Sequence, residues 1–197
     1  MKEFLIILVL CFLVFKTTYG QQKVKVNAIQ VDSSFDAASL LKLQEAVKVL
    51  DSIYNSEAFA QAVLQTDFNV GNFGLTNYQI LELIKSGVDN YKEKPKDFSI
   101  DLRVKLFDEY FGHGNFGITD MKTRVTRTHR CYILHNDVNC YISHLGHEYM
   151  HEIGFLDDRT WAFGTKTKSV PYKIGNIIDT LIGNTTPCIA KDETCTK

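Results

Sequence analysis

The chain has 197 residues, of which 45% are hydrophobic, and its 22 basic and 23 acidic side chains leave a formal net charge of −1. That balance offers no basic surface, so neither nucleic acid nor an anionic membrane is expected as a partner. Without a twenty-residue leader about 177 residues remain, enough for one domain with its own hydrophobic core, and no internal repeat or low-complexity tract divides them.

The leader is residues 1–20. Lys2 precedes an apolar run from Phe4 to Phe15, and Thr18-Tyr19-Gly20 supplies small residues at a cleavage point, the pattern of a secretory signal peptide. The run is too short to span a bilayer comfortably. Cys11 lies inside the run, preceded by Leu10, which argues against a lipoprotein-type anchor. The expectation is export and release, extracellular or periplasmic, with no stable membrane anchor and a mature chain, expected as a monomer, starting near Gln21. Residues 21–197 keep 20 basic and 22 acidic side chains, a net charge of about −2.

Over residues 36–64, Leu40, Leu43, Val47, Leu50 and Tyr54 recur at three or four, which predicts an amphipathic helix. Thr76-Asn77-Tyr78-Gln79 has the form of a capping box, opening a second helix through about Asn90 with Ile80, Leu83, Ile84 and Val88 inward. A charged link, Lys92 to Lys96, follows. Phe98, Ile100, Leu102, Val104 and Leu106 then alternate with polar residues, the period of a half-buried strand. Gly112, Gly114 and Gly117 mark a loop, and Thr119 to Leu134 is again strand-like. A short helix is predicted over about Ser143 to Glu152, ending at Gly154, and a last one over Ile174 to Ile182. Helices, strands, then helices read as an α+β domain.

Four cysteines follow the leader: Cys131, Cys140, Cys188 and Cys195. An even number in an exported chain favours disulfides. The close spacing suggests Cys131–Cys140, stapling a hairpin or strand-to-helix connection at Asn136-Asp137, and Cys188–Cys195, although three pairings are possible. A thiolate zinc site would need tighter gaps than either pair has.

The chemistry is concentrated at His147-Glu148-Tyr149-Met150-His151, an H-E-x-x-H motif. Residues four apart share a helix face, so both imidazoles can reach one metal ion, here Zn2+, at about 2.0–2.1 Å. Glu148 beside them is placed to take a proton from water. Asp157, ten residues after His147, would lie about 15 Å along a continued helix. Gly154 can adopt a left-handed conformation and turn the chain back, making Asp157 the third ligand and leaving a fourth position open. Asp158 competes with it by offset. His144, on much the same face as His147, is a further possible ligand or neighbour of the site. His113 and His129 carry no signal, Phe155, Trp161 and Phe163 suit core or pocket wall, and Asn184-Thr185-Thr186 has the form of a glycosylation acceptor.

The extended pattern His147-Glu148-x-x-His151-x-x-Gly154-x-x-Asp157 resembles the zinc motif of the metzincin metallopeptidases, in the variant with Asp as third ligand. Ser169-Val170-Pro171-Tyr172 stands where those enzymes have a tight turn containing Met, and no Met follows Met150. The specific resemblance covers about residues 143–180. It implies a twisted mixed sheet with helices to about residue 154, a central active-site helix, and a smaller C-terminal subdomain over 155–197. It also implies hydrolysis of peptide bonds in a protein or peptide substrate, with Glu148 as general base and the phenol of Tyr172 as a donor to the transition state. Substrate would pair in extended form with an edge strand between Gly117 and Leu134. Two other readings stay open at this point: a catalytically silent zinc-binding recognition module, and a disulfide-stapled structural protein in which the motif arises by chance.

Overall fold

The computed structural model describes residues 22–89, 97–108, 117–157, 168–184 and 188. The leader, the Lys92–Lys96 link, Gly112, His113, Gly114, Asp158, Trp161, Phe163 and Cys195 lie outside them. The described residues form an α+β fold with a four-stranded mixed sheet and six helices. None of these helices is long and apolar enough to cross a membrane.

Strands β1 (Lys25–Val31), β2 (Ser99–Phe107), β3 (Gly117–Asp120) and β4 (Val125–His129) lie in the order β1-β2-β4-β3. The first two pairings are parallel and β3 runs antiparallel to β4 at one edge. In β2 the alternation read from sequence sends Ile100, Leu102, Val104 and Leu106 into the core. The β1 edge is covered by side chains: Asp51 Oδ1 accepts from Val26 N–H at 2.9 Å, and Asn55 bonds both backbone groups of Val24. Such cover blunts a strand edge that would otherwise template association.

The predicted helix over 36–64 is two helices, α1 (Ala37–Tyr54) and α2 (Glu57–Gln65). Ser56 breaks them, because its hydroxyl caps Phe59 N–H and starts a new helix. Helix α3 (Asn77–Lys85) carries the expected capping box between Thr76 and Gln79, though it ends before Gly87, whose φ is 66°.

The span read as strand from Thr119 to Leu134 divides into β3, β4 and the short helix α4 (Arg130–His135). Asp137, read as part of a turn, caps the next helix instead: its carboxylate accepts from Cys140 N–H at 3.0 Å. Helix α5 therefore spans Val138–Ile153, five residues earlier than predicted. It has buried residues on all sides, as expected of a helix packed centrally between α1, β3 and the last helix, α6 (Val170–Leu181).

The expected cysteine pairing is wrong. Cys140 is bonded to Cys188, with Cα atoms 5.5 Å apart, and Cys131 is disulfide-bonded elsewhere, so neither adjacent pair forms. The interval from Cys131 to Cys140 holds two helix ends rather than a hairpin. Packing of α6 on α5 instead brings the segment after α6 to the first turn of α5. A loop of this length stabilises by roughly 4 kcal/mol on the chain-entropy estimate.

Candidate metal centre

Helix α5 delivers His147, Glu148 and His151 from adjacent turns and then stops at Gly154, whose φ is 117°. Phe155 N–H donates to Met150 C=O at 2.9 Å and Gly154 N–H to His151 C=O at 3.0 Å, closing the helix in a Schellman motif. Phe155 and Met150 are both buried, which supplies the apolar contact that accompanies such a stop. The reversed chain brings Asp157 back over the helix. Its Oδ1 lies 3.8 Å from His147 Nε2 and its Oδ2 lies 3.6 Å from His151 Nε2.

One donor atom from each of His147, His151 and Asp157 lies within 4.8 Å of the others, and these three form the group among the described residues that could hold a metal ion. Two imidazoles and a carboxylate are zinc-compatible donors, and a tetrahedron with bonds of about 2.05 Å has edges of roughly 3.3 Å. The two carboxylate–imidazole separations, 3.8 and 3.6 Å, exceed that figure by only a few tenths of an ångström, and no separation in the group exceeds 4.8 Å.

The surroundings prepare them. The carbonyl of Phe155 lies 2.7 Å from His151 Nδ1, so the ring donates there and turns Nε2 towards Asp157. Ser169 donates its hydroxyl to Asp157 Oδ1 at 3.3 Å. Tyr172 packs edge-on against the His147 ring, centroids 4.6 Å apart. Ser169-Val170-Pro171-Tyr172 is thus the start of α6 rather than a tight turn; Pro171 sits in its first turn, where a missing N–H costs nothing.

Burial pushes His147 down to about 4, against the pull of Glu148 and Asp157. Burial acts the same way on His151, but the hydrogen bond with Asp157 and the charge of Glu148 overcome it and hold that imidazole above its ordinary value. Asp157 is held low: its own desolvation is outweighed by His151 and His147. Burial raises Tyr172, with Asp157 and Glu148 adding to the effect.

Glu148 is 4% exposed, yet it lines the same cleft of about 490 Å³ as the three donor residues. Its Oε2 accepts from Thr119 Oγ1 on β3 at 2.7 Å. Thr119 Oγ1 is 2.8 Å from Thr126 Oγ1 on β4, which donates to Glu152 Oε1 at 3.1 Å. His144 completes the cluster on the other side, with Nδ1 3.7 Å from Glu148 Oε1 and Nε2 3.1 Å from Thr128 Oγ1. His144 is therefore a neighbour of Glu148 rather than a member of the donor triad, and burial, helped by His151, pushes it down to about 3. Thr119, Thr126, Thr128 and Glu152 were not legible as site residues. The signal was present in β4, whose inward positions hold Thr where an apolar core would take Val or Ile.

Asn184 Nδ2 donates to Asp179 Oδ1 at 3.0 Å and stands 3.6 Å from Cys188 Sγ; Thr185 and Thr186 lie outside the described residues. Compared with known proteins, the chain matches no family model, no curated protein and no solved structure.

Proposed function

We propose that this chain is an exported zinc-dependent endopeptidase of metzincin type, hydrolysing peptide bonds in the cleft between β3 and helices α5 and α6. The observation that carries the reading is the return of Asp157, through the left-handed turn at Gly154, onto the two histidines beside Glu148. A helix with a chance H-E-x-x-H would need neither that turn nor a carboxylate brought back to the imidazoles.

His147, His151 and Asp157 are the residues that would hold the metal. When bound, zinc supplies Lewis acidity, polarising a carbonyl and lowering the pKa of water towards about 7. Glu148 takes the proton of the attacking water and passes it to the leaving amine. Thr119 fixes one oxygen of that carboxylate, and the other lies 3.7 Å from His144 Nδ1, so the group is held in a set direction. Strand β3 forms a sheet edge along the cleft, and an extended substrate strand adding there would lay its backbone across Glu148. Tyr172, packed edge-on against His147, is the residue that would donate to developing negative charge. Export is supported by the Cys140–Cys188 bond, since disulfides persist in oxidising compartments.

The test is metal content by mass spectrometry of the purified chain after zinc reconstitution, with hydrolysis of a protein substrate measured in parallel. About one zinc per chain is expected, lost in His147→Ala and weakened in Asp157→Ala. Glu148→Gln should keep the zinc and lose hydrolysis by a factor of at least about 100. Zinc bound without any cleavage that Glu148→Gln removes would leave a recognition module. No zinc in the wild type would sink the metal-centre reading.

A further inference from the structure

The cleft continues past the histidines. Ser143, one turn before His147 on α5, and Gly175, Asn176 and Asp179 on α6 extend its wall towards Cys188. Tyr172, Gly175, Asn176 and Asp179 recur at three or four, so one face of α6 runs from the donor triad to Asp179. Seven residues separate Asp179 from Tyr172, which is about 10 Å along the helix. Gly175 lets α6 lie close on α5 beside the cleft: a Cβ there would be in ordinary van der Waals contact with His147 Cβ and the Ser143 carbonyl, each at 3.5 Å.

Helix stability alone does not favour a carboxylate at position 179. It lies in the last turn of α6, where the helix end already presents partial negative charge. Its position is nevertheless held firmly. Asn184 donates its side-chain amide to Asp179 Oδ1 and its backbone N–H to the Asp179 carbonyl, both at 3.0 Å. Asn184 in turn stands against the sulfurs of the Cys140–Cys188 bond, 3.8 and 3.6 Å away. No Lys or Arg is among the described residues lining the cleft. Its other two non-histidine charges are Asp157, a member of the donor triad, and Glu148, whose carboxylate is held by Thr119 beside His144. Asp179 remains as the negative charge at the far end of an otherwise neutral wall.

We infer that the substrate carries a Lys or Arg next to the bond that is cut, with its cation seated on Asp179; this rests on the peptidase reading above. Such a side chain can lay its apolar stem between α5 and α6 and place its charge at the carboxylate, which arginine pairs with through two hydrogen bonds.

Peptides released from a cell extract by a Glu-specific protease keep Lys and Arg internal, and they are the probe. After digestion with the zinc-reconstituted full chain, mass spectrometry should find Lys and Arg enriched about tenfold at one fixed position beside the cut. Asp179→Asn should return that position to the input frequency, and Asp179→Lys should turn it towards Asp and Glu. Cuts with no basic preference, or a preference unchanged in Asp179→Asn, would overturn the inference. If nothing is cut, the peptidase reading fails, and binding decides the subsite. Anisotropy of labelled Ala-rich hexapeptides should show the one with a central Lys bound about tenfold more tightly than its norleucine counterpart, a difference of roughly 1.4 kcal/mol, in the wild type only. Equal binding of the two peptides would remove the subsite. Circular dichroism of each variant separates a lost preference from a lost fold.

Discussion

Gly117 has no room for a side chain. A Cβ there would stand 2.2 Å from Cε1 and 2.6 Å from Nε2 of His144, and 3.1 Å from Glu148 Oε1. The His144 ring cannot retreat, since it lies against the rings of Tyr132 and Tyr141 and bonds Thr128. Gly117→Ala is therefore expected to displace His144 and Glu148 together. Hydrolysis should fall sharply while zinc content stays near one per chain, a split that metal analysis beside an activity assay would reveal. Thr119 permits a finer test. Thr119→Val removes the donor to Glu148 with little change of shape and should cost about 10–100-fold in kcat, whereas Thr119→Ser should retain most activity. Equal loss in both variants would mean that the methyl group, not the hydroxyl, matters. Gly117 was read from sequence as one glycine of a loop; its role depends on a neighbour more than twenty positions away.

The turn after α5 is an element-scale device. Gly154 holds a φ of 117°, its N–H and that of Phe155 close the helix, and the Phe155 carbonyl then orients His151. One stop signal thus sets both the third donor and the tautomer of the second. A side chain in this left-handed conformation costs about 1–3 kcal/mol. Gly154→Ala should lower thermal stability by that amount and weaken zinc binding, because strain relaxed at residue 154 moves Asp157. Zinc titration against a competing chelator would detect it, and unchanged affinity would show that Asp157 is positioned independently of the turn. The turn was legible in the sequence because glycine at a helix end has few other reasons to be there. The start of the same helix was missed, since Asn136-Asp137 suits a turn and a helix cap equally, and only the Cys140 N–H pointing at Asp137 decides between them.

For the whole molecule, proton binding is linked to folding, and on the proposed reading so is metal binding. Asp157 and Glu148 hold the His151 imidazole above its ordinary value, so a proton must leave it before it can accept a metal. Zinc retention should therefore weaken as pH falls from 7 towards 5. With zinc at about 100 times its Kd the folded chain should gain roughly 2.7 kcal/mol, a gain that shrinks over the same range and is measurable as a shift in Tm. Glu152 acts on the other side of neutrality. Burial drives its carboxyl well above the ordinary 4.5, with Asp89 and Glu148 adding to the effect and the Thr126 hydrogen bond offsetting part of it. The folded state thus holds a proton that the unfolded chain gives up. Its contribution is fully present below pH 4.5 and is lost as pH rises through the higher folded value. Glu152→Gln should flatten that decline, so its Tm should exceed the wild type's most at pH 8 and least near pH 5.

What the sequence determined by itself was local. The period of two in β2, the Thr76–Gln79 box and the glycine that ends α5 each rest on contacts within a few residues, which a linear reading can reach. The clustering of His147, His151 and Asp157 belongs with them, because helix periodicity puts the two histidines on one face and the turn at Gly154 brings Asp157 back. Only the tertiary structure decided the rest. It paired Cys140 with Cys188 by packing α6 on α5, and it set Thr119, Thr126 and Glu152 behind Glu148 by laying α5 across β3 and β4. It also carried the wall of the cleft along α6 to Asp179. These arrangements join positions from 26 to 48 residues apart, and no local preference encodes them. They follow from which apolar faces bury one another, and hence from the whole core at once.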